Sequence, residues 1–141
     1  MVEVGSAMIP LNGVACAKSF DEKNIEHDGT VMLIDFWATW CPPCQKPMKH
    51  NDEMIEKHPE WAGNVRIIGV SIDQDANAVM PHVEKHGYGR VEHYVKAAST
   101  CADDYAVRGV PHVVLVGRDG KVVYVGHPAA TDLESQIAGL I

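Results

Sequence analysis

The stretch Val31-Met32-Leu33-Ile34-Asp35-Phe36-Trp37-Ala38-Thr39-Trp40-Cys41-Pro42-Pro43-Cys44 decides the fold. It opens on an apolar run broken only by Asp35. Such a run suits a central strand buried on both faces by helices better than a half-solvated antiparallel strand. The stretch ends where a helix should begin, so two thiols fall at the junction of strand and helix. Cysteine reacts as the thiolate, and the unpaired N–H groups and dipole of a helix N-terminus favour that anion. Cys41 is therefore the better nucleophile. Cys44 lies about one helical turn further on, close enough to attack a mixed disulfide on Cys41 and release the partner reduced, which is dithiol–disulfide exchange.

On the N-terminal side, Gly5 and Asn12-Gly13 signal turns, and residues 14–17 read as an edge strand. Residues 21–27 are polar with Ile25 alone apolar, and Asp28-Gly29 turns the chain into the apolar run. On the C-terminal side, residues 42–58 read as a helix with Met48, Met54 and Ile55 on its apolar side and Lys49, His50, Asp52, Glu53 and Glu56 on its wet one. Pro42 and Pro43 fit the first turn, whose N–H groups have no intrahelical partner. Pro47 should remove one helical bond and bend the segment just past the thiols.

Pro59 and Gly63 end this helix, and residues 65–72 read as a second buried strand. Asp73-Gln74-Asp75 is a turn or cap, residues 76–85 form a helix stopped by Gly87, and residues 91–95 alternate like a short strand. Residues 100–106 form another helix with Thr100 as N-cap. His112–Val116 is a strand, Arg118-Asp119-Gly120 a hairpin turn, and residues 121–125 return antiparallel. Thr131 or Asp132 caps a last helix over Leu133–Leu140. Strands alternating with helices give an α/β fold, a mixed sheet with helices on both faces.

At 141 residues and 46% apolar content the chain forms one domain, residues 1–141, able to bury its own core. A net charge of −7 provides no basic field for a phosphate backbone or an anionic membrane, so neither nucleic acid nor membrane is an expected partner. No apolar run approaches a spanning helix, and residues 1–5 lack the features of a signal peptide. A cytoplasmic protein is expected, or a periplasmic or secretory one if a leader has been removed.

The run Asp35 to Cys44, then Val107-Arg108-Gly109-Val110-Pro111, then Gly117-Arg118-Asp119-Gly120-Lys121-Val122-Val123 before a final helix, resembles the thioredoxin-like superfamily. The Pro-Pro dipeptide and the long segment before Pro111 are similar to its TlpA/ResA and tryparedoxin/nucleoredoxin branches. Residues 88–98 then belong to an insertion before the cis-proline. The resemblance implies that Cys41 attacks, Cys44 resolves and Trp40 lines the docking surface. It also implies that Pro111 is the cis-proline packed on the disulfide, beside which the Val110 backbone pairs with a bound peptide. Asp35 matches a buried acid beneath the thiols. A carboxyl in so apolar a strand is desolvated, its pKa rises, and it can exchange a proton with Cys44.

Three positions depart from the family pattern. Gly69 occupies the site where compact members carry a lysine partner for that acid, so Asp35 should titrate higher still. His112 stands where a small hydroxyl residue is usual. Pro47 lies two residues earlier than the usual helix proline.

The expected activity is an enzyme's: a thiol–disulfide oxidoreductase that reduces protein disulfides and is recharged by a reductase or a small thiol, without a cofactor. An exposed site needs no symmetry partner, so a monomer is expected. Two other classes remain open, a protein handling copper or zinc through the two thiolates and a histidine, and a redox-dependent interaction module without turnover. Structural zinc is disfavoured, because no second Cys pair or His pair follows at finger spacing. His82 and His86 could share a helix face as metal ligands but more simply form a solvated one. Cys16 and Cys101 fill small apolar sites or pair as a regulatory disulfide. Trp37 and Trp61 belong to the core.

Overall fold

The structure is a computed structural model that describes residues 2–141. The apolar run forms β3, Val31–Trp37, and all seven of its residues are buried. Strands β1 (Leu11–Cys16), β2 (Glu22–Ile25), β4 (Val65–Ser71), β5 (Glu92–Val95), β6 (His112–Val116) and β7 (Val122–Gly126) complete one sheet in the order β2-β1-β5-β4-β3-β6-β7. β3 pairs in parallel with β4 and antiparallel with β6, so the sheet is mixed about its most buried strand.

The helices are α1 (Pro42–Lys57), α2 (Val79–His86), α3 (Cys101–Asp104) and α4 (Leu133–Leu140). They divide unevenly between the two faces. Cys44, Met48 and Met54 of α1, Val79 and Val83 of α2, and Leu133 and Ile137 of α4 pack with Leu33 and Trp37 on one face. The other face is covered by Cys101 and Ala102 of the short α3, by Tyr105, and by Val2 and Met8 of the N-terminal segment. Among the described residues no helix is long and apolar enough to cross a membrane.

The central strand, the long helix and the last two strands fall where sequence places them, and Asp132 is the cap of α4, its carboxylate accepting from Ser135 N at 3.1 Å. The N-terminal reading needs correction. β1 begins at Leu11 and is not the edge; β2 lies outside it, in the segment read only as polar. Three of the four β2 residues face solvent, so an edge strand there carries no alternating apolar signal. The short strand expected over residues 91–95, within the insertion, is β5, and it sits inside the sheet between β1 and β4. Asp52 is buried rather than on the wet side of α1, because its carboxylate accepts from Arg90 N at 2.7 Å and from the Arg90 guanidinium at 3.0 Å. Thr100 precedes α3, but its hydroxyl bonds Asp104; Ser99 Oγ accepts from Cys101 N instead.

Leu33 is fully buried between the sheet and the α1 side of the core. Leu33→Ala is expected to destabilise the protein by about 2–5 kcal/mol through lost burial and the cavity left behind, read as a lowered midpoint in urea unfolding with an unchanged slope.

Candidate active site

The chain leaves β3 at Trp37 and enters α1 at Pro42, and the short loop between carries the first thiol. Cys41 occupies the N-cap of α1 in extended conformation (φ −96°, ψ 105°), with prolines in the first turn and no side-chain cap. Its sulfur therefore meets the positive end of a 16-residue helix whose first turn carries no acidic residue. Cys41 and Cys44 are joined as a disulfide with Cα atoms 5.4 Å apart. Cys44 is fully buried, whereas Cys41 keeps a small exposed edge, which makes it the thiol a partner can reach.

Trp40 is 65% exposed beside it, an unusual setting for so large an apolar side chain. The Val110–Pro111 peptide is cis, and Val110 O lies 3.6 Å from Cys41 Sγ. A disulfide sulfur carries no proton, so this contact becomes a hydrogen bond only in the reduced thiol. A cavity of about 390 Å³ opens against the other side of the first α1 turns, bounded by Pro42, Pro43, Pro47, His50, Asn51 and His127.

Asp35 is completely buried, on the sheet face that also carries Trp37. Burial pushes its carboxyl up to about 7, opposed by the hydrogen bond that Asn51 Nδ2 donates to Oδ2 at 2.7 Å. Gly69 stands opposite it on β4, so no cation faces the acid from that strand.

Two further networks hold the loop, and sequence reasoning missed both. Asp73 accepts from Thr39 N at 3.0 Å, from Thr39 Oγ1 at 2.6 Å and from Ser71 Oγ, pinning the loop from the end of β4. Gln45 Nε2 donates to Cys41 O at 2.8 Å, while Gln45 Oε1 accepts from Tyr88 OH at 2.9 Å and faces His82 Nε2 at 2.7 Å. An amide oxygen only accepts, so His82 carries its proton on Nε2. Neither network has a local signature, because each joins residues more than thirty positions apart.

His82 and His86 do share a face, with ring centroids 4.2 Å apart, but that face is not simply solvated. The His82 ring packs near Trp37 and Tyr88. Among the described residues no group of three or more His, Cys, Asp or Glu side chains is placed to hold a metal ion. His112 follows Pro111 but sits opposite Phe36 on the other sheet face, away from Asp35; burial lowers its pKa. Cys16 and Cys101 are not joined. Burial raises the Cys101 thiol, and the Ser19 hydroxyl lowers that of Cys16. Trp37 and Trp61 are both core residues.

Residues 29–122 match the model of a family described as thioredoxin-like. A thiol-disulfide oxidoreductase ResA of Bacillus thuringiensis is 29% identical over 122 residues, which cover 85% of this chain and 68% of the relative. That of Halalkalibacterium halodurans is 27% identical over 100 residues, 71% of this chain and 55% of the relative. The chain thus spans 55% and 68% of these relatives' lengths. A thioredoxin-like protein from Porphyromonas gingivalis superposes with a TM-score of 0.73 at 26% identity, covering 96% of this chain and 90% of that one.

The raised Asp35 pKa fixes a pH dependence of stability. Between the ordinary carboxyl value of 3.8 and about 7, the folded state holds a proton on Asp35 that the unfolded chain has released. Stability from this group therefore falls as pH rises through that window, by roughly 4 kcal/mol in all. Asp35→Asn is expected to flatten that slope and to be the more stable form at pH 8, checked by urea unfolding of the oxidised proteins at pH 5 and pH 8.

Proposed function

We propose that this chain, which belongs to the thioredoxin-like family, is a thiol–disulfide oxidoreductase that works as a reductant of protein disulfides. The observation that carries the reading is the Cys41–Cys44 pair at the head of α1, with the cis Val110–Pro111 peptide against it and Trp40 exposed beside it. In the reduced protein the Cys41 thiolate, favoured by the helix N-terminus, attacks one sulfur of a substrate disulfide. A mixed disulfide forms and the other substrate sulfur leaves as a thiolate.

Cys44 then loses its proton to the Asp35 carboxylate and attacks Cys41 Sγ. The second substrate thiolate departs, and two electrons have passed to the substrate while Cys41 and Cys44 close as a disulfide. An acid held near pKa 7 suits this task, since it accepts a proton at neutral pH and gives it back when the pair is recharged. Pro42 and Pro43 keep the first helical turn in place around the thiols, and Trp40, Val110 and Pro111 form the surface on which an extended substrate segment docks.

A reductase or a small thiol returns the electrons, and the site needs no second copy of the chain, so the protein works as a monomer. The reductant direction belongs with a reducing compartment, which places the working protein in the cytoplasm. A dithiol poised near the thioredoxin potential, about −270 mV, fits that placement, whereas one near −120 mV reverses the direction and moves the protein to an oxidising compartment.

Insulin reduction with dithiothreitol as donor is the first test. Wild type is expected to accelerate precipitation of the insulin B chain, Cys41→Ser to lose at least 100-fold of that rate (an order-of-magnitude figure for removing a nucleophile), and Cys44→Ser to accumulate a mixed disulfide with the substrate on a non-reducing gel. An inactive wild type, or a Cys44→Ser protein that traps nothing, rejects the reading.

A further inference from the structure

Among the described residues four buried side-chain polar atoms lack a hydrogen-bond partner: Asp35 Oδ1, Trp37 Nε1, His93 Nδ1 and His112 Nε2. The first three belong to one face of the sheet, on β3 and β5 to either side of Gly69 on β4. Asp35, Gly69 and His93 stand abreast on β3, β4 and β5. Adjacent strands lie about 4.8 Å apart, so Gly69 is the gap between the carboxyl and the imidazole. Gly69 is absent from the glycines with positive φ, so backbone geometry does not call for it. What its missing side chain allows is the close approach of its neighbours. A Cβ there would stand 3.1 Å from His93 Nδ1, 3.2 Å from Trp37 Nε1 and 3.3 Å from Met48 Cε.

The unpaired atoms have complementary chemistry. Trp37 Nε1 can only donate. His93 Nε2 faces Tyr88 O at 2.7 Å, and a carbonyl only accepts, so the ring proton sits on Nε2 and the neutral ring offers Nδ1 as an acceptor. Asp35 Oδ1 accepts when ionised. One donor and two acceptors match a single water molecule, which accepts once and donates twice, and buried waters commonly make about three such bonds. Two of these atoms come within 3.2 Å of where a Gly69 Cβ would stand, Asp35 is the residue paired with Gly69 on β3, and all three side chains are at least nine-tenths buried.

We propose that the notch over Gly69 binds one buried water, held by Trp37 Nε1–H, His93 Nδ1 and Asp35 Oδ1, and that His93 is thereby a positioning residue for the proton-transferring Asp35. The water donates to Oδ1 as Asn51 donates to Oδ2, so both carboxylate oxygens are satisfied and the charged form is favoured. The other groups facing this pair are accounted for. From α1 come Cys44, and Asp52, whose charge acts on His93 and is held by Arg90. Tyr88 contributes its carbonyl, His82 of α2 packs near the Trp37 and Tyr88 rings with its Nε2 turned to Gln45, and Val113 of β6 flanks Asp35 without charge. The role of the water rests on Asp35 serving Cys44, as argued above; its presence does not.

The test follows the Asp35 carboxyl carbon by NMR against pH in the oxidised protein, so that it is independent of turnover. Gly69→Ala fills the notch and His93→Leu removes an acceptor, and each is expected to raise the Asp35 midpoint by roughly half to one unit. The double variant is expected to move it no further than the larger single shift, because both lose the same water. His93→Gln retains an acceptor and is expected to stay near wild type. Additive shifts, or an unmoved midpoint in Gly69→Ala, overturn the proposal. The His93 variants add no bulk and decide the matter even where the alanine is not accommodated, since equal midpoints for His93→Leu and His93→Gln also overturn it. A failed insulin assay beside the expected midpoints would reject the enzymatic reading and leave the water site standing.

Discussion

β3 is buried along its whole length, and the need to cover it places everything else. A strand in the middle of a sheet must satisfy its backbone through neighbours on both edges and its side chains through layers on both faces. β4 and β6 meet the first requirement; α1 and α4 on one face, and α3 with the N-terminal segment on the other, meet the second. The site follows from the geometry. A helix that turns back over the strand it follows begins just beyond that strand's end, so its N-terminus and the loop with Cys41 gather there. The β4 end contributes Asp73 and the approach to β6 contributes Val110 and Pro111.

How much of this could be read beforehand depends on whether the signal was local. β3, α1, β6 and α4 announce themselves through apolar runs, prolines and caps within a few residues, and their boundaries are found almost to the residue. Cys41 and Cys44 stand out by their spacing at a strand–helix junction and Asp35 as the lone carboxyl in an apolar run, whereas Trp40 and Pro111 are named only through the resemblance to the thioredoxin-like family; in the structure Trp40 is exposed beside the disulfide and the cis Val110–Pro111 peptide lies against it. β2 was not readable, since an edge strand with a solvated surface has no reason to alternate. Asp52 was misplaced for another reason: periodicity assigns a charged residue to the wet side of a helix, and only the fold reveals that Arg90 comes to meet it.

The long-range polar contacts were beyond sequence reasoning altogether. Gln45, His82 and Tyr88 look unremarkable where they stand, and the His82–His86 spacing even suggested a metal site. The structure uses that spacing differently: α2 carries His82 toward Trp37 and Gln45, and Gln45 in turn ties the Cys41 carbonyl to the segment around Tyr88. The reactive loop is therefore braced from two sides, by Asp73 through Thr39 and by Gln45 through Cys41 itself. Such bracing is what a nucleophile needs if it is to meet a partner disulfide without first ordering its own backbone.

The three buried acids differ in how their charge is met. Asp52 receives a backbone N–H and a guanidinium, so its negative charge is opposed by a positive one. Asp73 receives a backbone N–H and two hydroxyls, which cap its oxygens almost as fully. Asp35 has one protein donor, Asn51, and no cation across the sheet, because the position opposite is Gly69. Burial without compensation favours the neutral acid. Asp35 is the least compensated of the three, with a single amide donor, and burial pushes its carboxyl up to about 7.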